Sequence, residues 1–110
     1  MPRRVDEIFS SAEMGEAFIF IPTIALAECV YLVERERIEL DIGFLFSKLR
    51  VGGSFIPIDL SLEIVEEIHS IPLIEIHDRI IVATAEILGA KVLTKDEEIT
   101  EYRLVETIWN

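Results

Sequence analysis

Amide side chains are almost missing from this chain of 110 residues: there is no Gln, and the one Asn is Asn110. Ile and Glu are abundant instead, a bias that fits a thermophile, where thermolabile amides are avoided and charged side chains favoured. Cysteine is as scarce. Cys29 alone permits neither an internal disulfide nor a cysteine-based zinc site, which excludes a disulfide-stapled secreted module and points to a reducing, cytoplasmic setting. Positive charge is short as well, with 10 Lys and Arg against 21 Asp and Glu. At a formal net charge of -11, bulk attraction cannot hold nucleic acid, so any such role needs a local site. No apolar run approaches the roughly 18 residues that a membrane span needs. The segment after Pro2-Arg3-Arg4 is amphipathic rather than uniformly apolar, so no signal peptide is expected either.

What is present suits a single globular domain over 1–110, since 51% of the residues are hydrophobic and repeats, linkers and low-complexity tracts are lacking. Val5, Ile8, Phe9 and Ala12 recur at helical spacing, which predicts an amphipathic helix over 3–15 closing at Gly15. A short strand follows over 17–22. Thr23 is then the expected N-cap of a helix reaching about Arg37, with Ile24, Ala27, Tyr31 and Leu32 on its apolar face. Asp41 caps a further helix with Ile42, Leu45, Phe46 and Leu49 at helical spacing, and Gly52-Gly53 breaks it before a strand over 54–58. Ser61 caps a helix expected to bury Leu62, Val65 and Ile68. After Pro72, Asp78 stands ahead of Ile80, Ile81, Thr84, Ala85 and Leu88, and Gly89 ends that helix over 78–88. Strands over 91–94 and 104–109 complete the set. Strands alternating with helices at this spacing indicate parallel pairing with helices on both faces.

In open parallel sheets, functional groups gather beyond the carboxyl ends of the strands. Three acids fall there in this reading. Asp96 follows the strand ending at Thr94, Asp78 opens its helix, and Glu28 lies on the apolar face of the helix after strand 17–22. A buried Glu28 needs a partner, for which Arg79 is one candidate. Asp78 and Asp96 can each be explained by capping alone. Acids converging on one edge would repel unless a cation neutralised them, and Mg²⁺ or Mn²⁺ suits carboxylate oxygens and phosphodiester substrates. His69 and His77 read as solvated or packed rather than catalytic, Cys29 as a small buried hydrophobe, and Trp109 as a cover for the sheet end. Arg79 could steer phosphate, although pairing with Asp78 or Glu75 is the plainer expectation.

The run Ile76-His77-Asp78-Arg79-Ile80-Ile81-Val82-Ala83-Thr84-Ala85, then Leu88-Gly89-Ala90-Lys91-Val92-Leu93-Thr94-Lys95-Asp96, resembles the C-terminal half of a PIN domain, as in VapC-type toxins. Ile19-Phe20-Ile21-Pro22-Thr23-Ile24-Ala25-Leu26-Ala27-Glu28 resembles the second strand and following helix of the same family. The resemblance implies a three-layer α/β/α sandwich with a short, mainly parallel sheet. It further implies a divalent-metal-dependent endoribonuclease, commonly homodimeric and the toxin of a toxin-antitoxin pair. Glu28, Asp78 and Asp96 would ligate Mg²⁺ or Mn²⁺, and Thr94 would support the acid cluster by hydrogen bonding.

The family's usual first strand, which is central and ends in an aspartate, and its following helix do not precede Arg3, and Asp6 does not take that role. The chain therefore reads as a fragment, a misplaced start or a degenerate member. On this reading strand 17–22 pairs directly with strand 91–94, or two edges stay open for another chain. The absent first acid leaves two functions standing: an RNA-cleaving toxin with a cognate antitoxin, inactive in this form, or a non-catalytic PIN-like interaction module. A phosphoacceptor receiver-like domain, with Lys95 as its lysine, is a third and weaker reading.

Overall fold

The computed structural model describes residues 2–73, 75–101 and 105–110. Its element order alternates helix and strand: α1 (Arg3–Glu13), β1 (Ile19–Pro22), α2 (Thr23–Glu34), α3 (Ile42–Val51), β2 (Phe55–Ile58), α4 (Leu62–Ile68), α5 (Ile76–Leu88), β3 (Val92–Leu93), α6 (Glu97–Glu101) and β4 (Thr107–Ile108). Both strand pairs are parallel. β1 lies beside β2 in the register Ile19 to Phe55 through Pro22 to Ile58, and β3 beside β4 with Val92 opposite Thr107 and Leu93 opposite Ile108. Among the described residues the fold is thus an α/β arrangement of six helices and short parallel sheets. The direct pairing of strand 17–22 with strand 91–94 is not adopted, because each of those strands finds its partner in the next strand along the chain. The expected strand over 104–109 is reduced to Thr107–Ile108, and its first residue, Leu104, lies outside the described residues.

The chain divides into two compact units, one formed by 1–8 with Leu60–Asn110 and the other by Phe9–Asp59. In the first, α4 packs on α5 and α5 reaches β3. Val82 and Ala83 are completely buried, and Ile64, Ile71, Leu73, Ile80, Val92, Ile99, Val105 and Ile108 surround them as a continuous apolar set. Buried Thr84 returns its hydroxyl to the Ile80 carbonyl at 2.7 Å, which satisfies it without leaving the helix. The predicted inner face of α4 is corrected. Leu62 is 74% exposed and Val65 is also exposed, while Ile64 goes inward with half-buried Ile68. Two apolar stripes at helical spacing compete on that short helix, and packing against α5 selects the Ile64–Ile68 one.

In Phe9–Asp59, α2 rests on β1 and α3 on β2. Asp41 caps α3 as expected, its Oδ1 accepting the Phe44 N–H at 3.0 Å, and Gly52 at φ 83 ends the helix. Of the residues at helical spacing, Ile42, Leu45 and Leu49 form the half-buried stripe and Phe46 is exposed. Phe9 stacks on Phe55 at 6.4 Å, and the Lys48 ammonium lies 5.1 Å from the Phe55 ring while pairing with Glu13 at 2.5 Å. Thr23 does not cap α2. Pro22 occupies the cap position without a side-chain hydrogen bond, so Thr23 becomes the first helical residue, and the helix stops at Glu34 rather than near Arg37. Glu36 at φ 55 turns the chain out of it, with the Arg37 N–H donating to the Leu32 carbonyl.

Candidate functional site

Of the three predicted acids, Asp78 is the least exposed. Helix α5 begins at Ile76, two residues before the predicted start, because Glu75 is the N-cap and its Oε2 accepts the Asp78 N–H at 3.0 Å. This places half-buried Asp78 inside the first turn instead of ahead of it. The other Glu75 oxygen meets His77 Nδ1 at 2.9 Å. Hydrogen bonding from the His77 backbone N–H, then from the Asp78 N–H and the His77 ring, holds the Glu75 carboxyl below its ordinary value of 4.5, against a smaller opposing effect of desolvation. His77 is therefore part of a helix cap. Arg79 takes a different partner from the acids expected: its guanidinium Nε donates to the Leu73 carbonyl and pins the segment entering α5.

Asp96 is exposed and lies two residues beyond Thr94. Its Oδ1 accepts the Ile99 N–H at 3.1 Å and its carbonyl accepts from Thr100, so it caps α6, as capping alone predicted. From the sequence, a helix capped by Asp96 reads as Glu97 to Tyr102, and Tyr102 lies outside the described residues. Thr94 Oγ1 accepts the Asp96 N–H at 3.0 Å, and the Thr94 N–H in turn donates to the Ile108 carbonyl in the β4 ladder. The position of Asp96 is thereby fixed to the carboxyl ends of two parallel strands, so Thr94 does more than end a strand.

Glu28 requires correction. It is exposed, as are its neighbour Ala27 and Tyr31, and α2 buries none of its residues. The helix is apolar almost all round, so spacing from Ile24, Tyr31 and Leu32 does not identify an inner face. Cys29 on the same helix is half-buried rather than fully enclosed. Glu28 belongs to the Phe9–Asp59 unit, and Asp78 and Asp96 belong to the other.

Carboxylates are the right donor type for a hard divalent cation. Among the described residues, however, no group of three His, Cys, Asp or Glu side chains is placed to hold a metal ion. The donor chemistry of Asp78, Asp96 and Glu28 is that of a hard-cation site. Sequence reasoning missed Glu75 as the cap of α5, although its position three residues before Asp78 is a legible N-cap signal. It also missed an open cavity of about 420 Å³ whose walls include Arg4, Lys95 and Trp109. None of the described helices is long and apolar enough to cross a membrane.

No curated protein and no solved structure matches the chain. The family comparison does give a match, to the PIN domain over residues 2–104. That span takes in α1 to α6, β1 to β3 and the acids Glu28, Asp78 and Asp96, with β4 beyond its end, and on it the chain belongs to the PIN domain family.

Proposed function

We propose that this protein is a divalent-metal-dependent endoribonuclease of the VapC-type branch of its family. The observation that carries the reading is the family match over residues 2–104. PIN domains have a nuclease-type fold, act on nucleic acid and generally use divalent metals. The acids assigned to the metal are Asp78, Asp96 and Glu28, on the sequence runs that carry them, with Mg²⁺ or Mn²⁺ as the ion. Such a cation, when bound, neutralises phosphate charge and activates water for hydrolysis. The chain's own contribution is positional: Glu75 anchors the turn bearing Asp78, and Thr94 holds the backbone of Asp96. A toxin role with a cognate antitoxin, a homodimeric state and a cytoplasmic setting belong to the same proposal and rest on the same runs.

The test is incubation of single-stranded RNA with the protein in Mn²⁺, in Mg²⁺ and in chelator. Expected is metal-dependent cleavage, by this chain or by a form extended with an apolar strand ending in Asp, that Asp78→Ala and Asp96→Ala each reduce at least a hundredfold, as loss of charge stabilisation at a reacting phosphate does. Absence of cleavage by both forms with either ion, or cleavage indifferent to both substitutions, refutes it.

A second reading, a non-catalytic PIN-like interaction module, is favoured by the lack of a three-acid group among the described residues. Calorimetry with Mn²⁺ separates the two. A module without metal chemistry binds the ion no better than the Asp78→Ala, Asp96→Ala double variant.

A further inference from the structure

The unit formed by 1–8 and Leu60–Asn110 carries the open cavity of about 420 Å³, within the size range of small-ligand sites. It lies where ligands of parallel α/β sheets are found: Thr94 follows β3, Thr107 belongs to β4, and Trp109 follows β4. Trp109, the chain's only tryptophan, remains 41% exposed and lines the cavity. The first turn of α1 contributes Arg4, whose backbone N–H donates to the Asn110 carbonyl and ties that wall to the segment after β4. Lys95 contributes a second cation, and it directly precedes Asp96.

Glu97 and Glu101 share the lining, so four charged side chains cancel in pairs. A neutral balance of that kind does not make an anion trap. It does supply each part of one nucleotide with its own partner: an aromatic face for a base, carboxylate and threonine oxygens for ribose hydroxyls, and two cations for a phosphate.

We infer that this cavity is a subsite for one unpaired ribonucleotide, its base stacked on Trp109 and its phosphate held by Arg4 and Lys95. The inference rests on the nuclease reading and deepens it by placing a single-stranded RNA contact beside Asp96. Asp96 is exposed and is not among the residues of the wall. In a chain of net charge -11, a local device of this kind is also the form of RNA recognition that remains open.

Because Trp109 is the only tryptophan, its fluorescence reports on the cavity alone. The full chain is titrated in chelator with adenosine 5′-monophosphate, adenosine and inorganic phosphate. Expected is saturable quenching by the nucleotide, weaker binding of adenosine, and about tenfold loss of nucleotide affinity in Arg4→Ala or Lys95→Ala, the cost of a charged hydrogen bond. Adenosine affinity should not change in those variants. Trp109→Ala, followed by calorimetry, should weaken both ligands about tenfold through lost stacking. No quenching at millimolar nucleotide, equal affinity for inorganic phosphate, or indifference to both cation substitutions overturns the subsite. Metal-dependent RNA cleavage is measured separately on the same preparation. Nucleotide binding without cleavage would remove the nuclease reading and leave the subsite, whereas cleavage without nucleotide binding would do the reverse.

Discussion

The two compact units stabilise themselves by different means. In 1–8 with Leu60–Asn110, apolar side chains from α1, α4, α5, α6 and both strands are withdrawn from water around Val82 and Ala83. In Phe9–Asp59, Ala12 is the only described residue with so little exposure, and Tyr31, Phe44, Phe46 and Val51 stand in solvent. That unit relies on local devices: the Asp41 cap, the Phe9–Phe55 stack and the Glu13–Lys48 pair. Burial of a large apolar side chain contributes about 1.5–3 kcal/mol, whereas a cap or surface pair contributes about 1 kcal/mol or less. Similar helix-and-strand patterns in the two halves therefore conceal unequal resistance to substitution.

The sharpest break of that contrast is a pair of truncations. Ile80→Ala should cost about 2–5 kcal/mol by urea denaturation, while Tyr31→Ala, at 54% exposure, should stay within about 0.5 kcal/mol. Equal costs would show that exposure does not distinguish the units energetically.

Next in size is Asp96, where two roles share one side chain. Asp96→Ala should lose about 1 kcal/mol of stability with the Ile99 hydrogen bond, whereas Asp96→Asn keeps a capping oxygen and should hold stability within a few tenths of a kcal/mol. Both should lose Mn²⁺ binding by calorimetry. Retention of metal by the Asn variant would reduce Asp96 to a cap.

Smaller again, Asp41→Ala should cost about 1 kcal/mol in thermal melts, and Thr23→Ala less than about 0.5 kcal/mol because its side chain caps nothing. The smallest effect is pH-dependent. The folded-state pKa of Glu75 is lowered, so its contribution is present above the ordinary value of 4.5 and lost as pH falls through the lower folded value. Melts of the parent chain between about pH 5 and pH 3 should therefore lose more stability than those of Glu75→Gln. A parallel loss in both would remove Glu75 from acid sensitivity.

Features decided within a few residues were legible beforehand. Asp41, Ser61 and Gly89 mark helix ends where expected, since a cap needs only its own side chain or backbone and the next turn. Asp96 as a cap was legible by the same local logic, and so was the Thr94 hydroxyl at a strand end, which accepts the Asp96 N–H. Which apolar stripe goes inward was not legible on α2 or α4, because each presents more than one stripe and the choice depends on the surface it meets. Glu28 was misread for that reason. Arg79 was assigned an acid because charge suggests one, yet the carbonyl of Leu73 is the partner its chain segment presents.

By itself, the sequence determined the alternation of helices and strands, the parallel sense of pairing, the helix ends at Asp41, Ser61 and Gly89, the family, and the lack of a bulk charge capable of holding nucleic acid. All of these follow from short-range periodicity, side-chain chemistry and summed charge. Only the tertiary structure decided that β1 takes β2 and β3 takes β4, that Ile64 and not Leu62 is buried, and that Arg4, Lys95 and Trp109 share one cavity. Those outcomes depend on groups far apart in the chain competing for the same surfaces, and periodicity along one element carries no record of what it will meet.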